Sequence, residues 1–249
     1  MRKITALLLI IVLLAACGGE QLAVAELSTP PAPQPTTFEQ AEELFTLWWS
    51  KWGHEIRYMG EETVTNIGEW RGGLQPYYEY SDLPVPITLF VFETGDIRAA
   101  VSKDCGTIYR SSGHANIDSW TKGGTIAVRD ETIEIPELFI TDVTPSGLSY
   151  ILVNQTDKEF MYGEDFRLSV KSGNGWKPFS NEEMAFVSIG YPIMPLSMTL
   201  AKEINWEWSF GELPAGEYKL HKGIHFGTVP DGNFEQYTLE QIFTIPRIN

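Results

Sequence analysis

The feature that most narrows the fold is a change of texture at about Glu131. Beyond it the chain shows no helical periodicity, and short apolar-rich runs alternate with turn residues every eight to twelve positions. The runs are Leu138 to Val143, Leu148 to Asn154, Phe166 to Val170, Trp176 to Phe179, Glu203 to Phe210, Glu217 to Lys222 and Leu239 to Ile245. Gly173-Asn174-Gly175 and Asp231-Gly232-Asn233 are hairpin signals, because two-residue loops need positive φ, which glycine and asparagine adopt at least cost. Strands this short bury their apolar faces by stacking two antiparallel sheets. We therefore expect an all-β sandwich over residues 131–249. Its best strand is Glu203 to Phe210, where Ile204, Trp206, Trp208 and Phe210 share one face and Glu203, Asn205, Glu207 and Ser209 the other. That alternation predicts four side chains in the core, both tryptophans included.

The strand runs into Leu213-Pro214-Ala215-Gly216-Glu217-Tyr218, which resembles the tyrosine corner of immunoglobulin-like sandwiches. Further matching elements are Asn154 at a strand end, Tyr162-Gly163 before the next strand, Gly175-Trp176 after a hairpin turn, Trp206 with Phe210-Gly211, and Lys219 closing the corner. On these residues the stretch from about Asp142 to Ile245 resembles a bacterial immunoglobulin-like domain family found at the C-termini of lipoproteins. The resemblance implies an immunoglobulin-like fold at a cell surface and no catalytic residues. One departure is apolar Ile193-Met194-Pro195-Leu196-Ser197-Met198, where the family usually has a polar, glycine-containing turn.

Ahead of the change the pattern is mixed. Thr37 and Gln40 form a capping box, and Phe38, Ala41, Phe45, Trp48 and Trp52 recur at spacings of three and four, predicting an amphipathic helix. Gly60, Gly68, Gly72 and Gly73 then interrupt any regular pattern. Val85 to Glu93, Asp96 to Ser102 and Thr107 to Ser111 read as strands joined by turns at Thr94-Gly95 and Asp104-Cys105-Gly106. We expect a small α+β module over residues 38–125, a helix on a small antiparallel meander. Gly123 and Gly124, within Thr121 to Glu131, mark the expected boundary.

The N-terminus bears on location. Arg2 and Lys3 precede the run Ile4 to Leu14, apolar apart from Thr5. A spanning helix needs about 20 apolar residues, whereas a signal-peptide core needs about 7 to 15. Leu14-Ala15-Ala16-Cys17 resembles the lipobox of bacterial lipoproteins. That resemblance implies a signal peptide over residues 1–16 and lipidation of Cys17 on sulfur. Two or more acyl chains, at about 0.8 kcal/mol per buried methylene, would hold the chain at the extracytoplasmic face of the membrane. Residues 17–37, with Pro30, Pro31, Pro33 and Pro35, read as an extended tether.

Charge and chemistry narrow the function classes. The chain holds 33 acidic against 18 basic residues, and two of the basic ones, Arg2 and Lys3, leave with the signal peptide. Phosphate recognition needs basic patches, so no nucleic acid is expected as partner. If Cys17 carries lipid, Cys105 has no intramolecular partner and is either a small apolar residue or a reactive thiol. No serine elbow, Cys-x-x-Cys pair, phosphate loop or calcium loop is present, His54-Glu55 lacks a second histidine four positions on, and His221 and His225 are too far apart on a strand for one metal. Glu42-Glu43, Glu61-Glu62 and Glu182-Glu183 read as solvated faces, and the sequon Asn154-Gln155-Thr156 as incidental. We expect no enzyme, no cofactor and no metal site. Aromatic clusters remain: Trp48, Trp49 and Trp52 fit a buried helix stripe, whereas Tyr77, Tyr78 and Tyr80 fit either packing or an exposed recognition patch. The expected function is a membrane-anchored binding or interaction lipoprotein, contacting an envelope peptide, protein or glycan, or a structural or sensory accessory to an envelope enzyme or transporter.

Overall fold

Reciprocal capping starts the first element. The Thr37 N–H donates to Gln40 Oε1 at 3.0 Å and the Gln40 N–H to Thr37 Oγ1 at 3.3 Å, satisfying donors that a helix N-terminus leaves open. Helix α1 (Phe38–Ser50) then buries Ala41, Leu44, Phe45, Trp48 and Trp49. The molecule is seen here as a computed structural model that describes residues 29–50, 53–71, 77–95, 97–111, 120–179, 186, 189–226 and 235–247. Trp52, the Asp231 turn, Glu182-Glu183, Cys17 and the signal peptide lie outside the described residues.

Five strands follow: β1 (Arg57–Arg71), β2 (Tyr77–Thr94), β3 (Ile97–Ser102), β4 (Thr107–Ser111) and β5 (Trp120–Ile126). They pair antiparallel in order, and a parallel contact at Gly68 and Thr121 brings β5 back to β1. One expectation is corrected here. Gly60 and Gly68 lie within a fifteen-residue strand, because β1 absorbs its irregularities as register shifts at Tyr58/Gly60 and Val64/Asn66, while Gly72 and Gly73 lie outside the described residues. Gly123 and Gly124 lie within β5, and residues 127–136 that follow carry no strand. Phe90, Phe92, Ala99, Val101 and Ile108 carry α1 on one face, and Leu89, Val91, Ala100 and Tyr109 pack with Val64, Ile67 and Trp120 on the other.

The second half supplies β6 (Glu137–Thr144), β7 (Gly147–Asn154), β8 (Phe160–Tyr162), β9 (Arg167–Ser172), β10 (Gly175–Phe179), β11 (Tyr191–Ile193), β12 (Ser197–Met198), β13 (Lys202–Asn205), α2 (Glu207–Phe210), β14 (Gly216–Phe226) and β15 (Glu235–Ile245). β8, β9, β10, β11, β14 and β15 form one sheet, and β6, β7, β12 and β13 belong to the other. Between them Leu152, Phe160, Leu220, Ile224 and Phe243 are wholly or almost wholly buried. Tyr218 donates from its hydroxyl to the Pro214 carbonyl at 2.8 Å, as a tyrosine corner should, and its ring stacks on Phe243 at 5.6 Å.

The two halves share a sheet. Short β12 pairs with β5 on one side and β7 on the other, giving nine strands in all. Gly124 permits the approach, since a Cβ there would sit 2.4 Å from the Met198 carbonyl oxygen. The apolar departure at Ile193 to Met198 thereby gains a reason: Leu196 joins the core beneath α1, and the Trp48 indole donates to the Pro195 carbonyl at 3.0 Å. Buried Asn154 clamps the same segment through its amide, which donates to the carbonyls of Ile193 and Met194. The sequon around it is thus a structural bracket.

The strand expected over Glu203 to Phe210 ends at Asn205. Asn205 Oδ1 accepts the Glu207 N–H at 2.9 Å, and the Trp206 carbonyl then accepts the Ser209 and Phe210 N–H groups, so the chain coils into α2. The side-chain period changes from two to the helical value, and Trp206 turns inward at 0% exposure while Trp208 stands 98% exposed. The expectation of a buried Trp208 is overturned.

Candidate functional site

Where α1 meets the second half of the chain, the surface folds into a cleft of about 270 Å³. Trp48 and Trp49 reach it from α1, Ile97 and Ala99 from β3, Arg110 from β4, and Glu159, Pro192 and Met194 from the loops and strand around β8 and β11. Its walls are mainly apolar, and its two charged groups are opposite in sign. The Arg110 guanidinium stands 5.6 Å from the centroid of the Trp48 ring. Although Arg110 is exposed over the residue as a whole, protein crowded around its charge lowers its pKa from the ordinary arginine value, with Glu159 opposing the fall. A cleft of this kind suits a small ligand, or one side chain of a larger one, that joins an apolar body to polar ends.

Trp48 and Trp49, 4% and 8% exposed, are core residues that show only an edge to this cleft. The indole of Trp48 is fixed by its bond to Pro195, so the cleft wall is rigid on that side. Arg110, Glu159, Pro192 and Met194 escaped sequence reasoning. The one available signal was the apolar segment beginning at Ile193, whose lack of polar turn residues marks the place where a second element packs.

Of the tyrosine row, Tyr80 lies on β2 with its side chain 42% exposed and opposite Gly68. Its ring covers that glycine so closely that a Cβ on Gly68 would approach Tyr80 Cε1 to 2.8 Å. The side chains of Tyr77 and Tyr78 lie outside the described residues.

Other polar constellations resolve as structure. Ser169 Oγ lies 2.8 Å from His221 Nε2, and His221 Nδ1 lies 3.0 Å from Glu240 Oε1, distances a hydrolytic triad would show. The three residues sit on the neighbouring strands β9, β14 and β15, Ser169 in register with Lys219 and His221 with Glu240, where the backbone amides belong to the strand ladders. With Lys219 holding Glu240 at 2.8 Å, the group is a cross-strand hydrogen-bonded row. Lys222 is 1% exposed; its ammonium donates to the Gly163 and Asp165 carbonyls at 2.5 and 2.7 Å and lies over the rings of Tyr150 and Tyr162. Burial pushes its pKa below the usual lysine range, against the pull of Asp165 and Glu164. Cys105 is half-buried, with its sulfur 3.3 and 3.1 Å from the hydroxyls of Ser102 and Thr107. Among the described residues no group of three His, Cys, Asp or Glu side chains is placed to hold a metal ion, and no helix is long and apolar enough to cross a membrane.

Residues 137–244, from β6 through almost all of β15, match the family model of a bacterial Ig-like domain. No curated protein and no solved structure matches the chain.

Proposed function

We propose that this chain is an exported, lipid-anchored recognition protein of the cell envelope, and that the cleft between α1 and the Ig-like segment is where it takes its ligand. In this reading Cys17 holds the membrane, residues 17–37 lift the body from the headgroups, and residues 38–125 act as a recognition module carried by the sandwich. The observation that carries the binding role is the cleft itself: a mainly apolar concavity of about 270 Å³ with Arg110 and Glu159 at its polar positions. The ligand class that fits is a peptide segment presenting an apolar side chain beside charged or polar backbone ends, as envelope proteins and peptides supply.

Site-specific photo-cross-linking in the native envelope tests this. Ile97 and Val128 are equally exposed at 54%, and only Ile97 lines the cleft. A photoreactive residue at position 97 should give a discrete adduct that disappears with Arg110→Ala, while one at 128 should not. Equal labelling at both positions, or an adduct at 97 indifferent to Arg110→Ala, removes the cleft from the function.

A further inference from the structure

The edges of the two sheets are guarded unequally. A strand edge presents unpaired N–H and C=O groups to any passing chain, and proteins normally blunt it with proline, bulges, short length or lysine. Here β1 is broken by two register shifts. β6 is preceded by Pro136 and shifted between Ile140 and Asp142. β10 contains Pro178, β11 contains Pro192, and β13 has four residues. β15 has none of these devices. It runs eleven residues in unbroken register with β14, contains no Pro, Gly, Lys or Arg, and pairs with nothing else among the described residues.

Beside this edge runs a groove of about 680 Å³, between Thr238 to Gln241 on β15 and residues 132–139 leading into β6. Apolar Ile133, Ile135, Leu138 and Leu239 line it, and its carboxylates are Glu134, Glu137 and Glu240, the last held by Lys219. We propose that β15 is an acceptor edge at which an extended, lysine- or arginine-bearing segment of a partner protein adds as a further strand. Backbone pairing supplies the attraction, since only another extended backbone matches an open ladder. The carboxylates select the sign of the incoming side chains. A second copy of this chain is disfavoured by the same charges, because the groove carries Glu134, Glu137 and Glu240 with no lysine or arginine in its lining, so two such edges would repel. The chain's own undescribed segments after Cys17 are unsuited too, for Lys51 is the only lysine or arginine in them.

The test uses the full chain and a synthetic peptide of about ten residues that alternates lysine with valine. Its affinity and its effect on amide hydrogen exchange in β15 are the readouts. Two further peptides carry N-methyl groups on alternate amides, one set for each edge of the strand, and a fourth carries glutamate in place of lysine. The parent peptide should bind, slow exchange within Glu235–Ile245, and lose about tenfold in affinity when one edge is methylated, as expected for lost hydrogen bonds, while tolerating the other. The glutamate peptide should not bind, and Glu134→Gln with Glu137→Gln should weaken the parent peptide without lowering the melting temperature. Equal binding by both methylated peptides would show charge attraction alone and overturn the proposal. Failure to bind, or protection elsewhere than β15, would do the same. So would a dimer whose β15 is protected without any peptide.

Discussion

Replacing Trp206 with alanine probes the sandwich with a control two positions away. Trp206 is 0% exposed, its ring stacks on Phe243 at 5.9 Å, and its indole N–H donates to the Pro145 carbonyl at 2.8 Å. Removing a buried ring of this size costs about 3 to 5 kcal/mol, because transfer free energy is lost and the cavity only partly collapses. The hydrogen bond adds roughly 1 kcal/mol, a modest share because the Pro145 carbonyl keeps its second donor, the Leu213 N–H. With a urea dependence of about 2 kcal/mol per molar, the midpoint should fall by about 2 to 3 M. Trp206→Phe keeps a ring against Phe243 and should lose roughly 1 to 2 kcal/mol, so the series remains readable if the alanine variant fails to fold. Trp208→Ala, at a side chain almost wholly in water, should stay within about 0.5 kcal/mol of the parent. Far-ultraviolet circular dichroism is the signal, since it does not depend on the tryptophans being replaced. If Trp208→Ala shifts the midpoint as far as Trp206→Ala, or if Trp206→Ala unfolds with the parent, the strand does not coil at Asn205 and Trp206 is not the buried member of the pair.

Cys17→Ser should move the protein from the membrane fraction to the soluble fraction and block lipid labelling; a variant that still sediments with membranes and is processed normally removes the lipid anchor. Lys222→Met keeps side-chain length but leaves the Gly163 and Asp165 carbonyls without their donor, and should cost about 2 to 4 kcal/mol near neutral pH in a urea titration. Because burial lowers the Lys222 pKa below its ordinary 10.5, the unfolded chain holds that proton longer, so the parent's advantage over Lys222→Met should grow as pH rises toward 10.5; an advantage that shrinks over that range refutes the assignment. Above pH 10 the sign reverses for a buried phenol: Tyr109, pushed up to about 12 chiefly by burial, keeps its proton in the fold while the unfolded chain loses it. Stability should therefore fall by up to about 1.4 kcal/mol per pH unit from this group, and Tyr109→Phe should flatten the decline.

Features written within a few residues were legible in the sequence. The capping box at Thr37 and Gln40 and the aromatic spacing behind it foretold α1, and the tyrosine corner foretold the Tyr218 to Pro214 bond. The glycine pair inside Gly173-Asn174-Gly175 foretold the β9–β10 hairpin. The misreading of Trp208 has a local cause, since one side-chain oxygen on Asn205 redirects a segment whose apolar alternation is complete. β1 escaped because bulges disturb the period that identifies a strand. The cleft was illegible for a different reason. Its residues lie between positions 48 and 194 and converge only after β12 has been placed between β5 and β7, so no local pattern encodes it.

The two-residue strand β12 bears on the ancestry of this chain. A domain can be moved between proteins only when its surface is complete without its neighbour. This one is not complete: moved elsewhere, it would carry Leu196, at present 4% exposed and packed in the core beneath α1, onto a bare surface. Gly124 and Trp48 would in turn lose what they accommodate. Substitutions at Ile193 to Met198 are therefore answerable to Trp48 and Gly124 in the other half of the chain, and a change on either side of that seam must be matched across it.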